Sequence, residues 1–360
     1  MKKRKLEEVK NKEKDKNVKE DITKLLSLAN KSFTCFTGLG NNPNAKLLRI
    51  KSGIDIFDRS IGGGLVRGRF HLFTGGFASG KTYISQKVIE STQKNGGICV
   101  YIDAEKRFDP EWFALVGCDI DNLIVSRPTY GEQALDLVLF YLKQDVDLII
   151  IDSLAALVPM QEDENSMEQQ SIGLQARMLN KAFRKIVAAN NSSVLIAINQ
   201  QRQQIGTVFN RGIQKTMPGG EGQYFYASLI VDVRRGDWIK QEKQRVGHEI
   251  NCVVTKCNFY PPFGQSIIPL RYDTGQIDNV TMIVNLALDF DIIRKKGPWY
   301  YLENVEKPFQ GIDEVVQFYR NNQDEFIALR EKVFQIETKD VVGVSGLRSI
   351  ERVGISVSNE

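Results

Sequence analysis

A short glycine-rich segment has residue types and spacing suited to binding phosphate. Gly75–Thr82 reads GGFASGKT and matches the pattern G-x-x-x-x-G-K-[ST] at every position. In such a loop, glycines let backbone N–H groups close around phosphate oxygens, and the start of the following helix adds partial positive charge. Lys81 would reach the β- and γ-phosphates, and the Thr82 hydroxyl would coordinate Mg²⁺. We therefore predict a site for ATP and Mg²⁺ whose nucleotide contacts are Gly75, Gly76, Phe77, Ala78, Ser79, Gly80, Lys81, Thr82 and Tyr83.

Phosphoryl transfer also needs acidic groups, and the ends of apolar, strand-like runs supply candidates. Asp152 ends the run LIIID and is the candidate carboxylate for Mg²⁺, held through water, although such a residue could instead cap a helix. Glu105 follows the run CVYIDA and could orient or deprotonate the attacking water, and Asp103 in the same run is the alternative. Gln200 ends the run AINQ, where its amide could sense the γ-phosphate or simply terminate a strand.

The segment after Gln200 is a candidate nucleic-acid interface. Gln201–Gly220 spans twenty residues without an acid, which is too long for an ordinary connection between a strand and a helix. Cationic side chains suit the phosphates of a nucleic-acid strand, and apolar side chains suit insertion between its bases. A second polar loop, Gln161–Ser171, is acidic, so its charge alone does not assign it to DNA. The candidates in the first of these loops are Arg202, Ile205, Phe209, Arg211 and Lys215.

The elements that would position these residues alternate along most of the chain. Between Leu47 and Tyr272, short apolar runs alternate with helical patterns such as Glu132–Lys143 and Gly173–Asn190. Runs that are apolar at nearly every position suit strands covered on both faces, so we predict an α/β fold with a mostly parallel sheet flanked by helices. The runs predicted as strands are Phe70–Thr74, Ile98–Ala104, Leu148–Ser153, Ser193–Gln200, Ser228–Arg234 and Asn251–Lys256.

Changes in composition divide the chain further. A turn signal at Asp273–Gly275 ends the alternating region, and Asn279–Gln335 is mostly helical around the aromatic segment Trp299–Tyr301. Ile336–Glu360 is rich in Ser, Gly and Val, which is typical of a loosely ordered tail. The predicted divisions are a basic N-terminal segment (1–46), an ATPase core (47–275), a small α/β domain (276–335) and a flexible tail (336–360).

Composition and charge argue against several classes of protein. With 42% hydrophobic and 26% charged residues, and no apolar run near the roughly 20 residues that span a bilayer, a soluble cytoplasmic protein is expected. The basic start is not followed by an apolar stretch, so it does not resemble a signal peptide. Five cysteines without a CxxC pair and two histidines argue against a structural zinc site. Residues 1–20 hold nine Lys or Arg and five acids, which accounts for the net charge of +4 and fits either nucleic-acid steering or a solvated arm.

Beyond the phosphate-binding motif, several longer segments together resemble the bacterial RecA recombinase family. Their order and spacing hold over about residues 48–335, including GPWYY at Gly297–Tyr301. The resemblance implies a RecA-like P-loop core, an N-terminal oligomerisation segment with a helix at about Asp21–Lys31, and a C-terminal DNA-gateway domain. It implies a DNA-dependent ATPase that forms a helical filament on single-stranded DNA and catalyses homologous pairing and strand exchange in recombinational repair. The segments that carry it are IDAEKRFDP (Ile102–Pro110), GCDIDNLIVSRPTYGEQAL (Gly117–Leu135), LIIIDSLAALVP (Leu148–Pro159), GLQARMLNKAFRKI (Gly173–Ile186), INQQRQQIG (Ile198–Gly206) and FYASLIVDVRRG (Phe225–Gly236).

Carried over position by position, the resemblance gives roles to the candidate ATPase residues. Glu105 matches the family's water-activating glutamate, which decides between it and Asp103. Gln200 matches the γ-phosphate sensor, and Lys256 matches a lysine that reaches the γ-phosphate bound by a neighbouring protomer. The positions that contact adenine match Asp109 and Trp112.

The same resemblance assigns DNA contacts to both polar loops and to residues near them. Gln161–Ser171 and Gln201–Pro218 match the first and second DNA-binding loops, and Ile172 and Ile205 match positions that wedge between bases. The DNA-binding residues predicted in this way or from the loop composition are Ile172, Arg177, Arg184, Arg202, Ile205, Phe209, Arg211, Lys215, Gly219, Gly220, Arg234 and Arg235.

Some positions depart from the family pattern. A second lysine that usually acts across the protomer interface is Asn258 here, so weaker coupling of hydrolysis across that interface is expected. Asn251 and Val253 replace basic residues, which predicts weaker capture of a duplex. The partners implied are single-stranded DNA, homologous duplex DNA, further copies of the chain, and a repressor cleaved through co-protease action after DNA damage. The alternative functions are a RecA-core motor or helicase and an ATP-switched DNA-coating scaffold with weak hydrolysis.

Overall fold

The computed structural model describes residues 21–32, 47–161, 173–203, 215–216, 218–241, 244–303 and 305–336. The chain divides into two units, residues 1–48 and residues 49–360. In the first unit, residues 21–32 form helix α1, where the sequence predicts a helix over Asp21–Lys31.

The second unit is built around an eight-stranded sheet. Its strands are β3 (Arg69–Gly75), β4 (Cys99–Asp103), β5 (Leu123–Ser126), β6 (Leu148–Asp152), β7 (Val194–Gln200), β10 (Leu229–Gln241), β11 (Gln244–Cys257) and β12 (Gln265–Arg271). The spatial order is β12-β11-β10-β3-β7-β6-β4-β5. Neighbours from β10 to β5 are parallel, whereas β11 and β12 join antiparallel at one edge. The predicted mostly parallel sheet is confirmed, and each predicted run overlaps one of these strands.

Short elements complete the connections around this sheet. Two antiparallel ribbons are formed by β1 (Arg49–Ile50) with β2 (Leu65–Val66) and by β8 (Arg202–Gln203) with β9 (Lys215–Thr216). The helices of this region are α2 (Asp55–Ser60), α3 (Lys81–Lys94), α4 (Pro110–Val116), α5 (Gly131–Tyr141), α6 (Leu174–Ala189) and α7 (Gly222–Tyr226), with a 3₁₀ turn at Leu154–Ala156.

Helices cover both faces of the sheet. Successive residues of each strand point to opposite faces, so the apolar residues of one strand pack with helices on both sides. In β6, Ile150 packs with α3 on one face, whereas Ile149 and Ile151 pack with α5 and α6 on the other. On that second face, the rings of Phe70 and Phe183 stack with centroids 4.7 Å apart. Double-sided burial explains why these strands read as continuous apolar runs.

The C-terminal part of the described chain has an apolar cluster of its own. It is formed by α8 (Asn279–Asp289), α9 (Ile312–Asn321), α10 (Gln323–Gln335) and the antiparallel strands β13 (Arg294–Lys296), β14 (Trp299–Tyr301) and β15 (Phe309–Gln310). Polar contacts join this part to α2: for example, Arg330 pairs with Asp55 at 2.5 Å, and the Arg59 guanidinium donates to Val333 O at 3.2 Å.

Among the described residues, no helix has the length and apolar character needed to cross a membrane. Cys99, Cys118 and Cys252 are free and buried, and burial raises the pKa of each thiol to about 12. These three cysteines are packed core residues.

Candidate active site and nucleic-acid interface

The predicted phosphate-binding loop joins the end of β3 to the start of α3. Its backbone packs so tightly that side chains are excluded at two glycines. A Cβ on Gly75 would lie 2.0 Å from Val233 O, and one on Gly80 would lie 2.3 Å from Ile250 Cδ1. Gly80 also has a φ of +96°, which L side chains rarely adopt. The glycines therefore let the loop close directly on the sheet, with α3 starting at its far end.

Lys81 is held inside this loop. Its Nζ donates to Gly76 O at 2.6 Å and to Gly75 O at 3.2 Å, and the side chain is buried. Burial lowers the pKa of Lys81, while the nearby carboxylates of Asp152 and Glu105 act in the opposite direction. The loop thus keeps a cation among backbone dipoles and acids, where a phosphate group would be attracted.

Asp152 and Thr82, the residues predicted to hold Mg²⁺, are in direct contact. Thr82 Oγ1 donates to Asp152 Oδ2 at 2.7 Å, and Tyr101 OH donates to the same oxygen at 2.9 Å. Burial raises the pKa of Asp152 to about 6, against the effect of both hydroxyl groups. A hydroxyl and a carboxylate are the hard oxygen donors that Mg²⁺ prefers, so the residues present fit this ion. The alternative of a helix cap fails, because this side chain binds hydroxyl groups rather than backbone N–H groups.

Glu105 and Gln200, which were predicted separately, are in direct contact. Gln200 Nε2 donates to Glu105 Oε1 at 2.9 Å, and Ser153 Oγ donates to the same oxygen at 2.6 Å. The other carboxylate oxygen pairs with the Arg107 guanidinium at 3.1 Å. Glu105 is thereby held at the same edge of the sheet as Asp152, where it could orient a water molecule.

Asp103, the alternative acid, is engaged in local structure. Its carboxylate accepts hydrogen bonds from the backbone N–H groups of Arg107 and Phe108, at 2.9 and 3.1 Å. It also pairs with Arg127 Nε at 3.1 Å, and it is almost fully buried. Since both oxygens hold the turn after β4, the geometry favours Glu105 as the acid that acts on water.

The two predicted adenine contacts are fixed by the start of α4. Asp109 caps this helix, because its Oδ1 accepts from the backbone N–H of Glu111 at 3.0 Å and of Trp112 at 3.3 Å. Trp112 Nε1 donates to Gln86 Oε1 on α3 at 3.2 Å, which holds the half-buried indole beside the helix that follows the phosphate loop. The capping role of Asp109 was missed, although an Asp before a Pro at the first helical position is a recognisable signal.

The side chain of Tyr83 is not free for a nucleotide. It is buried in the core, and its hydroxyl donates to Gly275 O at 3.1 Å. The predicted nucleotide contact of Tyr83 could therefore be made only through its backbone N–H, since its side chain is occupied in the core.

Part of the predicted DNA interface lies on α6 and on a turn packed against it. Arg177 and Arg184 are exposed on this helix. A Cβ on Gly219 would lie 2.3 Å from Leu179 Cδ1, and one on Gly220 would also crowd the helix. Arg202 and Lys215 lie in the β8–β9 ribbon, but their side chains are outside the described part. Also outside the described residues are most of the predicted loop Gln161–Ser171, and Ile172, Ile205, Phe209 and Arg211.

The β10–β11 hairpin carries the remaining predicted residues. Arg234 pairs with Asp232 at 2.6 Å, whereas the Arg235 Cζ lies 5.1 Å from the centre of the Trp238 ring. Arg245 Cζ lies 4.6 Å from the same centre, so two cations lie close to one half-buried aromatic ring. Sequence reasoning missed Trp238 and Arg245, which the register of the two strands brings together.

Lys256 is bound within its own chain. Its Nζ donates to Tyr224 O at 2.7 Å and to Phe225 O at 3.3 Å, both in α7. Burial lowers the pKa of Lys256. To reach a neighbour's nucleotide, this lysine would exchange these carbonyl groups for phosphate.

Comparison with known proteins identifies relatives over most of the chain. A family model described as the RecA N-terminal domain matches residues 20–277. A protein of Mycoplasma mycoides named Protein RecA is 37% identical over 306 residues, 84% of this chain and 88% of the relative. Proteins of the same name from Clostridioides difficile (strain 630) and Acinetobacter baumannii (strain AYE) are 38% and 37% identical over 299 and 314 residues. These alignments cover 82% and 86% of this chain and 85% and 89% of the relatives.

Proposed function

This chain belongs to the RecA family, and we propose that the residues around Gly75–Thr82 hydrolyse ATP to control its assembly on DNA. The protein is a DNA-dependent ATPase and recombinase that binds nucleotide, assembles on single-stranded DNA and acts in homologous recombination and DNA repair. Membership of this family agrees with the expected cytoplasmic location and does not favour a helicase, a motor or a passive scaffold.

In this proposal, each group of the site has a separate task. The loop N–H groups and Lys81 bind the phosphates, and Thr82 with Asp152 holds Mg²⁺, which would neutralise charge that develops during phosphoryl transfer. Glu105 orients the attacking water and accepts its proton. Gln200, which donates a hydrogen bond to the Glu105 carboxylate, links the γ-phosphate to the segment that follows β7. Asp109 and Trp112 contact the adenine.

The observation that carries this proposal is the shared contact at Glu105 Oε1. Ser153 and Gln200 donate to this one oxygen at 2.6 and 2.9 Å. A carboxylate oxygen that accepts from two neutral donors stays an acceptor in a defined place, which is what a water-positioning group requires. An acid with a purely structural role would be occupied by backbone N–H groups, as Asp103 is.

The DNA and partner contacts are finer proposals. Arg177, Arg184 and the Gly219–Gly220 turn would bind the first strand, and the Arg234–Arg235 pair would bind a homologous duplex. The remaining candidates for the first strand are Ile172, Arg202, Ile205, Phe209, Arg211 and Lys215. Lys256 would act on the nucleotide of a neighbouring copy. Co-protease action on a repressor completes the proposal, without an assigned residue.

The test compares ATP hydrolysis with and without single-stranded DNA in the full chain. We expect strong stimulation in the wild type, none in Lys81→Ala, and a loss on the order of 10²-fold or more in Glu105→Gln, which should still bind ATP. Asp103→Asn is the matched control, because this acid ends β4, two residues before Glu105, and its carboxylate holds a turn. Hydrolysis that does not respond to DNA would contradict the recombinase function, and failure of Glu105→Gln to bind ATP would contradict the role of Glu105.

A further inference from the structure

Two buried side-chain amides hold the end of the second predicted DNA loop. Asn199, next to last in β7, and Gln223, in α7, are 0% and 1% exposed. Asn199 Nδ2 donates to Gln223 Oε1 at 2.7 Å and to Pro218 O at 3.0 Å. Gln223 Nε2 donates to Pro218 O at 2.9 Å and to Gly220 O at 2.8 Å. All four N–H groups of this pair, the amide clamp, are therefore used.

The amide clamp fixes the direction of two peptide groups. The peptide bonds after Pro218 and Gly220 are trans, so each N–H points away from its carbonyl oxygen. Because both carbonyl oxygens are held by the buried clamp, the N–H groups of Gly219 and Glu221 point away from it. Within the described part of the chain, neither N–H donates to a protein acceptor. Two backbone donors with no acceptor among the described residues, both on one short turn, suit an anionic oxygen.

The backbone conformation of the turn favours glycine, and the turn packs against α6. Gly219 and Gly220 have φ values of +85° and +74°, which L side chains rarely adopt. The turn lies against α6 at Leu179, on the helix that carries the exposed cation Arg177. The cation Arg177 and the outward N–H groups of the turn thus lie on two elements, α6 and the turn, that pack against each other.

We propose that Gln223 is a positioning residue for nucleic acid: together with Asn199 it directs the N–H groups of Gly219 and Glu221 towards a phosphate of single-stranded DNA. This inference rests on the proposed function. It also joins the DNA side to the nucleotide side, because Asn199 Oδ1 accepts the backbone N–H of Gln200 at 2.9 Å. Asn199 of the amide clamp is therefore adjacent in sequence to Gln200, which contacts Glu105.

The substitution Gln223→Met tests this role, since it keeps the length of the side chain and removes both donors to the turn. ATP hydrolysis by the full chain is measured against increasing poly(dT). We expect the poly(dT) concentration for half-maximal stimulation to rise about tenfold, which corresponds to about 1.4 kcal/mol of binding free energy. A purely structural effect would lower the maximal rate in proportion to the folded protein and leave that concentration unchanged, and this result would overturn the proposal.

The matched control is Asn190→Ala. Asn190 is a buried amide just before the other end of the same strand, where its Oδ1 accepts the backbone N–H of Ser193 at 3.1 Å. We expect this variant to lose stability but to keep the wild-type half-maximal poly(dT) concentration. An equal rise in the control would refute a specific role for Gln223.

A second measurement on the wild type remains decisive if Gln223→Met does not fold. Hydrogen exchange at Gly219 and Glu221 should slow when saturating poly(dT) is added to the protein with an ATP analogue. Unchanged exchange at both amides would overturn the proposal. A wild type whose hydrolysis ignores DNA refutes the proposed function itself, whereas a DNA-responsive wild type with an unaffected Gln223→Met variant refutes the clamp alone.

Discussion

Asp152 and Asp103 are register partners at the ends of β6 and β4, and both are buried. Their surroundings differ in kind. Asp103 accepts two backbone N–H groups and pairs with Arg127. Asp152 accepts hydroxyl groups from Thr82 and Tyr101, and burial raises its pKa to about 6. Asp103 is therefore held by N–H donors and a cation, whereas burial penalises the charge of Asp152.

We predict that Asp152→Asn stabilises the nucleotide-free protein at pH 7.5 while it abolishes hydrolysis. The pKa of Asp152 is about 6 in the folded protein and 3.8 ordinarily, so folding takes up a proton between these values. The free energy of unfolding therefore falls as the pH rises from about 3.8 to about 6, and it stays lower at higher pH. A difference of about two pH units corresponds to about 3 kcal/mol. The new amide N–H groups need acceptors of their own, so a net gain of about 1–2 kcal/mol is expected.

The assay is urea unfolding of the wild type, Asp152→Asn and Asp103→Asn at pH 7.5 and pH 4.5, without nucleotide. The advantage of Asp152→Asn should shrink at the lower pH, where the wild-type carboxyl is protonated in the folded protein. Asp103→Asn should be less stable than the wild type at pH 7.5, because it weakens the pair with Arg127 and the turn after β4. An Asp152→Asn variant that is no more stable than the wild type at pH 7.5, or whose advantage is independent of pH, would refute the reasoning.

Phe183→Ala should lower the free energy of unfolding by about 3–5 kcal/mol in urea, because this ring is fully buried; Phe140→Ala, at a side chain that is 55% exposed, should cost less than about 1 kcal/mol. Gly219→Ala should weaken poly(dT) binding in a fluorescence titration, since the new Cβ would force the turn away from α6, and wild-type affinity would contradict this packing. Trp112→Ala should weaken binding of a fluorescent ATP analogue about tenfold through lost stacking, and unchanged binding would remove Trp112 from the adenine site.

Local sequence patterns predicted those features that depend on residues close together in the sequence, such as the buried strands. The run LIIID at Leu148–Asp152 is apolar because both of its faces are covered, so it could be identified as a buried strand without tertiary information. The choice between Glu105 and Asp103 could not be made from strand position, because the two residues are two apart and their partners come from other segments. Gln223 gave no signal at all, because its role depends on carbonyl groups of a turn and on the end of a distant strand.

The end of β7 joins the two halves of the site by ordinary strand geometry. Consecutive residues of a strand point to opposite faces, so Gln200 reaches Glu105 on the side of α3 while Asn199 reaches Gln223 on the side of α6. Asn199 Oδ1 also accepts the Gln200 backbone N–H, so a displacement of the Gln200 backbone would disturb Asn199 as well. Since Asn199 and Gln223 leave no unused amide donor, the turn at Gly219 follows that movement or loses hydrogen bonds in a buried site. Buried polar groups without partners are costly, so we expect a backbone displacement at Gln200 to change the direction of the N–H groups of Gly219 and Glu221.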